Sequence, residues 1–151
     1  MAVYVLDRLT KLLVMDRMDI NESVTVIAGF FDIVHVRNTG AAFSFLASWD
    51  SAYRTPFFLA ATGAAILLLI QFVRKTRPED SLMLVALALI MGGAAGNLTD
   101  RIAYGNVVDF IDWYSGSYHW PAFNIADSGI TVGIALMGIE MFVKGKHYGE
   151  S

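Results

Sequence analysis

Cysteine is absent from the 151 residues, which removes disulfides, thiolate metal ligands and a cysteine nucleophile at once. Charge is scarce too: Asp, Glu, Lys and Arg make up 17% of the chain, against about 25% in an average globular domain. The net charge of −3 offers no basic surface for a polyanion, so nucleic acid is not an expected partner. Histidine occurs only at His35, His119 and His147, too scattered for a metal site and without the HExxH spacing of a metalloprotease. With no phosphate-loop spacing either, neither a metal nor a cofactor is expected. What fills the chain instead is apolar: 56% of residues are hydrophobic and the mean hydropathy is +0.53. Such a surplus indicates that lipid replaces part of the aqueous surface, in a single-domain integral membrane protein.

Two uncharged runs of nineteen residues, 55–73 and 81–99, are each long enough as helices to span about 28 Å of bilayer. Between them lie Arg74, Lys75, Arg77 and Pro78, which mark a helical hairpin whose turn faces the cytoplasm by the positive-inside rule. A further span, residues 125–143, ends in Lys144, Lys146 and His147 and returns to the cytoplasm, leaving residues 100–124 as an outer loop. Residues 1–18 are apolar in period but carry Asp7, Arg8, Lys11, Asp16 and Arg17. Only six residues precede Asp7, so this reads as a shortened helix, an interfacial helix or the end of a longer one; a tilted first helix is the expectation. It has neither the long apolar region nor the small-residue cleavage site of a removable signal peptide. Residues 20–54 change character, since VTVIAGFFDIVHVRN is rich in β-branched and aromatic residues around Gly29. Strands at 24–28 and 31–37 are expected at the outer surface, with Trp49, Tyr53, Trp113, Tyr114 and Trp120 as interfacial aromatics.

Polar residues at membrane depth cost about 2.5 to 3.5 kcal/mol or more and need a reason. Asp7, Asn97, Asp100, Arg101, Asp109, Asn124, Asp127 and Glu140 are the ones to explain. Asn97, Asp100 and Arg101 share a helix face, and a salt bridge between Asp100 and Arg101 is one plain account of them. Glu140 pairs at i, i+4 with Lys144, and Gly92 with Gly96 forms a close-packing face. Asp109 and Asp127 both have apolar neighbours; two such carboxylates brought together share a proton and can do aspartyl-protease chemistry. Read singly, they are equally a surface charge and a helix cap. A proton-coupled transporter relaying through Asp127 or Glu140, or a scaffold using these residues for packing, fits the composition as well.

The ordered motifs decide among these. Residues 7–11 (DRLTK), 38–43 (NTGAAF), 92–101 (GGAAGNLTDR), 107–110 (VVDF) and 123–127 (FNIAD) resemble the lipoprotein signal peptidase, or signal peptidase II, family in sequence and order. The resemblance implies a mainly α fold, a four-helix transmembrane bundle with a small outer-surface β cradle between helices one and two. It implies an aspartyl endopeptidase of the bacterial inner membrane, multi-pass, with its site toward the periplasm. Its substrate would be a prolipoprotein cut before a diacylglyceryl-modified cysteine, with membrane lipid around it and no obligate protein partner. Asp109 and Asp127 match the catalytic pair. Asn38, Asn97, Arg101, Asn124, Asp7 and Lys11 match polar positions that bind substrate or support the site. Asp112 falls outside the motifs and reads as a solvated charge.

Overall fold

The computed structural model describes residues 2–40 and 50–149. Four helices carry the chain: α1 (Ala2–Arg17), α2 (Ser51–Lys75), α3 (Ser81–Tyr104) and α4 (Ile125–Gly149). Three of them, α2, α3 and α4, are long and apolar enough to cross a membrane. The last part of the 38–43 motif and Trp49 lie outside the described residues.

α1 is turned inside out relative to a water-soluble helix. Asp7, Lys11 and Val14, spaced to share one face, are buried, whereas Val5, Leu6, Leu9, Leu12 and Leu13 are exposed. This explains three of the charges that make the segment a poor span by hydropathy: Asp7, Arg8 and Lys11 point into the bundle and the leucines point at lipid, while Asp16 and Arg17 pair with each other, exposed, at the helix end. α3 and α4 form the tightest pair. A Cβ on Gly133 would meet the Ala86 carbonyl oxygen at 2.7 Å, and one on Gly93 would overlap the carbonyl of Ala126. Glycine is therefore required where the two backbones touch. A Cβ on Gly96 would instead strike the Asp7 carboxylate, so the small-residue face of α3 also makes room for a charge from α1. At the opposite end Lys144 bonds Glu140 at 2.8 Å, the pairing expected from spacing, and Asp80 of the α2–α3 turn at 2.6 Å.

The strands β1 (Ser23–Ile27), β2 (Phe31–Asn38), β3 (Val107–Ser115) and β4 (Tyr118–His119) form one antiparallel sheet in that order. The sheet therefore extends beyond the stretch between helices one and two, and the expected outer loop 100–124 supplies half of its strands. Two features account for this. α3 continues to Tyr104 and stops at Gly105, whose left-handed φ of 72° reverses the chain directly into β3. The run from Val107, rich in β-branched and aromatic residues, then finds an open edge on β2, with Val36 opposite Asp109 and Asn38 opposite Val107. After β4 the chain doubles back, and Phe123 exchanges backbone hydrogen bonds with Ile111 at 2.8 and 3.1 Å. That pairing sets the start of α4 beside the middle of β3.

Candidate active site

Five of the expected residues converge at this junction, and three asparagines organise them. Asn124 caps α4: its Oδ1 accepts the Asp127 backbone N–H at 2.9 Å, while the Asp127 carboxylate accepts the Asn124 backbone N–H at 3.3 Å. A backbone N–H can only donate, so the amide oxygen must face it and the amide nitrogen must face the other way. That nitrogen donates to Asp109 Oδ1 at 2.7 Å. The same logic fixes Asn38, whose oxygen takes the Gly40 N–H at 3.0 Å and whose nitrogen donates to Asp109 Oδ2 at 2.9 Å. It fixes Asn97 as well, since the Lys11 ammonium occupies its oxygen at 3.0 Å and its nitrogen donates to Asp127 Oδ1 at 2.7 Å. Each amide is locked by an obligate donor on one side and presents N–H to a carboxylate on the other.

Asp109 is 2% exposed, and Asp127 is half-buried. Burial pushes the Asp109 carboxyl up to about 7, the neighbouring Asp127 charge adds to the rise, and the hydrogen bonds from Asn38 and Asn124 oppose it. A carboxyl titrating near neutrality beside a second carboxylate can hold a proton for one partner to give while the other takes one.

Beneath the pair lies a fully buried ionic cluster. Lys11 Nζ stands 2.9 Å from both Asp7 Oδ2 and Asp100 Oδ2; Asp7 Oδ1 accepts the Ala126 N–H at 2.9 Å, and Asp100 Oδ2 accepts the Val108 N–H at 3.1 Å. Arg8 pairs with Asp100 Oδ1. Asp7 thus supports the first turn of α4 and Asp100 the start of β3, the two segments that carry Asp127 and Asp109. The Asp100 to Arg101 salt bridge is not what the structure shows. Asp100 turns toward α1, and the Arg101 guanidinium lies over the Phe58 ring, 5.0 Å from its centroid, close enough for its charge to act on Asp127, Asp109 and Asp100. The roles of Arg8 and Asp100 escaped motif reading because their pairing joins residues 92 positions apart. The i, i+4 pair Asp7 and Lys11 within an apolar helix was the available signal.

Asp112 is part of a strand, an odd number of residues from Asp109, so it faces the other side of the sheet. There it accepts from His119 Nδ1 at 2.8 Å rather than standing solvated. Among the described residues, no group of three or more His, Asp or Glu could hold a metal ion.

Residues 1–143 match the family described as Signal peptidase (SPase) II. A lipoprotein signal peptidase of Geobacter sulfurreducens is 50% identical over 137 residues, covering 91% of this chain and 84% of that protein. One from Syntrophus aciditrophicus is 46% identical over 144 residues, covering 95% and 89%. A solved bacterial membrane enzyme superposes with a TM-score of 0.86 at 36% identity, covering 96% of this chain and 85% of that one.

Proposed function

Because the chain belongs to the signal peptidase II family of membrane peptidases, we propose that Asp109 and Asp127 are the dyad with which it removes signal peptides from prolipoproteins, before a diacylglyceryl-modified cysteine. The observation that carries this reading is the pair of carboxylates bridged by Asn124, each also gripped by a second oriented amide. Such a frame holds two acids at fixed separation, the requirement for passing one proton across a peptide bond. Asn38, Asn97 and Asn124 position the acids, Asp7 and Lys11 brace the segments that carry them, and Arg101 adds positive charge beside them. No metal or cofactor enters the reaction as proposed.

The exposed apolar faces of the helices, including Leu67, Leu68 and Phe72 on α2 and Val132, Ile139 and Phe142 on α4, suit contact with acyl chains. A substrate anchored by its own diacylglyceryl group would reach the site from the lipid side. The site lies at the end of the bundle away from Arg74, Lys75, Arg77 and Lys144, which supports a periplasmic position in the inner membrane. Purified protein in lipid should cleave a diacylglyceryl prolipoprotein before the modified cysteine, and Asp109→Asn and Asp127→Asn should each lower turnover by at least about 10³-fold while staying folded. Full turnover in either variant would remove that residue from the dyad. A single cysteine placed at Gly116 should react with a membrane-impermeant maleimide added from the periplasmic side; protection there with labelling only from the cytoplasm would invert the topology.

A further inference from the structure

The two carboxylates have different surroundings. Asp127 stands in the first turn of α4, where the aligned peptide dipoles present partial positive charge. The amide of Asn97 links it directly to the buried Lys11 ammonium. Arg101 acts more strongly on Asp127 than on Asp109 or Asp100. Asp109 sits within a strand, is almost wholly shielded from solvent, and its hydrogen bonds come from the neutral amides of Asn38 and Asn124. The charge of Lys11 reaches Asp109 too, but as the weakest of the influences on it. The charged groups packed around the pair are Asp7, Arg8 and Lys11 from α1 and Asp100 and Arg101 from α3; β2 contributes the neutral Asn38. Within that set Asp7, Arg8 and Asp100 largely satisfy one another and Lys11. Asn97 passes the ammonium's influence directly to Asp127 through its nitrogen, whereas Asp109 is reached only at one further remove, through Asn124, which donates to the Asn97 oxygen at 3.3 Å.

Resting on the dyad reading above, we propose that the pair is fixed in one protonation pattern before substrate arrives: Asp127 ionised as the base, Asp109 protonated as the acid, with Lys11 a positioning residue acting through Asn97. Asp127 then takes a proton from water as the water oxygen bonds to the scissile carbonyl carbon. The carbonyl π pair moves onto its oxygen, which receives the proton of Asp109, giving a neutral gem-diol. As the carbon–nitrogen bond breaks, its electron pair stays on nitrogen and takes the proton held by Asp127. One gem-diol hydroxyl returns its proton to Asp109 while the C=O bond re-forms. The products are an acid and an amine, and the dyad is back in its starting pattern with no outside proton donor.

The test is infrared spectroscopy of aspartate-labelled protein in lipid at about pH 6, on the protonated side of the Asp109 titration. The C=O band of a protonated carboxyl should be present in the parent, lost in Asp109→Asn and retained in Asp127→Asn. The reverse pattern overturns the assignment, whatever the cleavage assay shows. Conversely, a parent that does not cleave prolipoprotein would sink the dyad reading while leaving the infrared result standing. Asn97→Ala tests the role of Lys11, because it cuts the link yet leaves the ammonium between Asp7 and Asp100. The acid limb of kcat/KM should move up by about one pH unit once that link is cut. A lower kcat with an unmoved acid limb would reduce Asn97 to a structural role and overturn that part; if the variant fails to fold, the same readout is taken on Lys11→Arg, where retention of the parent's acid limb is expected and a shift of a unit or more counts against the link.

Discussion

α1 and α2 make opposite use of the membrane. α2 has no charged residue from Thr55 to Val73, reads at once as a span, packs chiefly on α3, and buries no residue of its apolar stretch. α1 reads badly, with five charges in seventeen residues, yet touches α3, α4, β2 and β3 and sends Asp7 and Lys11 under the candidate site. Hydropathy therefore measures how much of a helix meets lipid, not how much the protein depends on it. A helix that must deliver charge to the interior pays for it by losing the uniform apolar signature.

The contrast can be broken most sharply at Lys11. Replacing it with Met leaves Asp7 and Asp100 buried without their shared cation, and loss of one member of such a cluster costs about 3 to 5 kcal/mol. A thermal unfolding scan in detergent should show the variant unfolded or lowered by well over ten degrees; a parent-like Tm would mean the cluster contributes nothing to stability. Next comes the α3–α4 seam, where Gly93→Ala forces a methyl into the Ala126 carbonyl at a cost of about 1 to 3 kcal/mol. Activity and Tm should fall together, and an unchanged pair of values would show that the helices sit farther apart. Asp109→Asn is expected to move stability the other way. A carboxyl whose folded titration is raised binds its proton more tightly when folded, so its contribution is fully present at low pH and is lost as pH rises through about 7. The neutral amide escapes that loss, so the gain in Tm of Asp109→Asn over the parent should be larger at pH 8 than at pH 4, and a pH-independent gain would contradict the raised titration. The smallest effect belongs to α2: Leu68→Ala, on a side chain facing lipid, should stay within about 0.5 kcal/mol of the parent in the same unfolding scan, and a larger loss would mean that the side chain packs against protein.

Much of this arrangement is legible in the residues. Apolar length gives α2, α3 and α4, and the alternation around Gly29 gives β1 and β2 to within a residue or so at each end. The motifs single out Asn38, Asn97, Asp109, Asn124 and Asp127 from the sequence alone. What does not show in one dimension is pairing at long range. Val107 to Ser115 reads as loop because its strand partner lies some seventy residues upstream, and Asp100 reads as the neighbour of Arg101 because Arg8 is still farther away. The amide orientations are also hidden, since each depends on a donor that only the fold supplies.

The ionic cluster has a consequence for how the chain is made. α1 precedes α3 in the chain, and Asp100 is synthesised about ninety residues after Lys11, so the charges of α1 must wait for α3. Asp7 and Lys11, one turn apart and bonded to each other, cancel during that wait. Arg8 has no acidic residue three or four positions away on its helix and is carried until Asp100 arrives. The two carboxylate-bearing segments meet on a far shorter clock, because the Ile111 to Phe123 pairing closes a loop of only twelve residues. The earlier-made α1 thus locks under a site that the later-made β3 and α4 have just assembled.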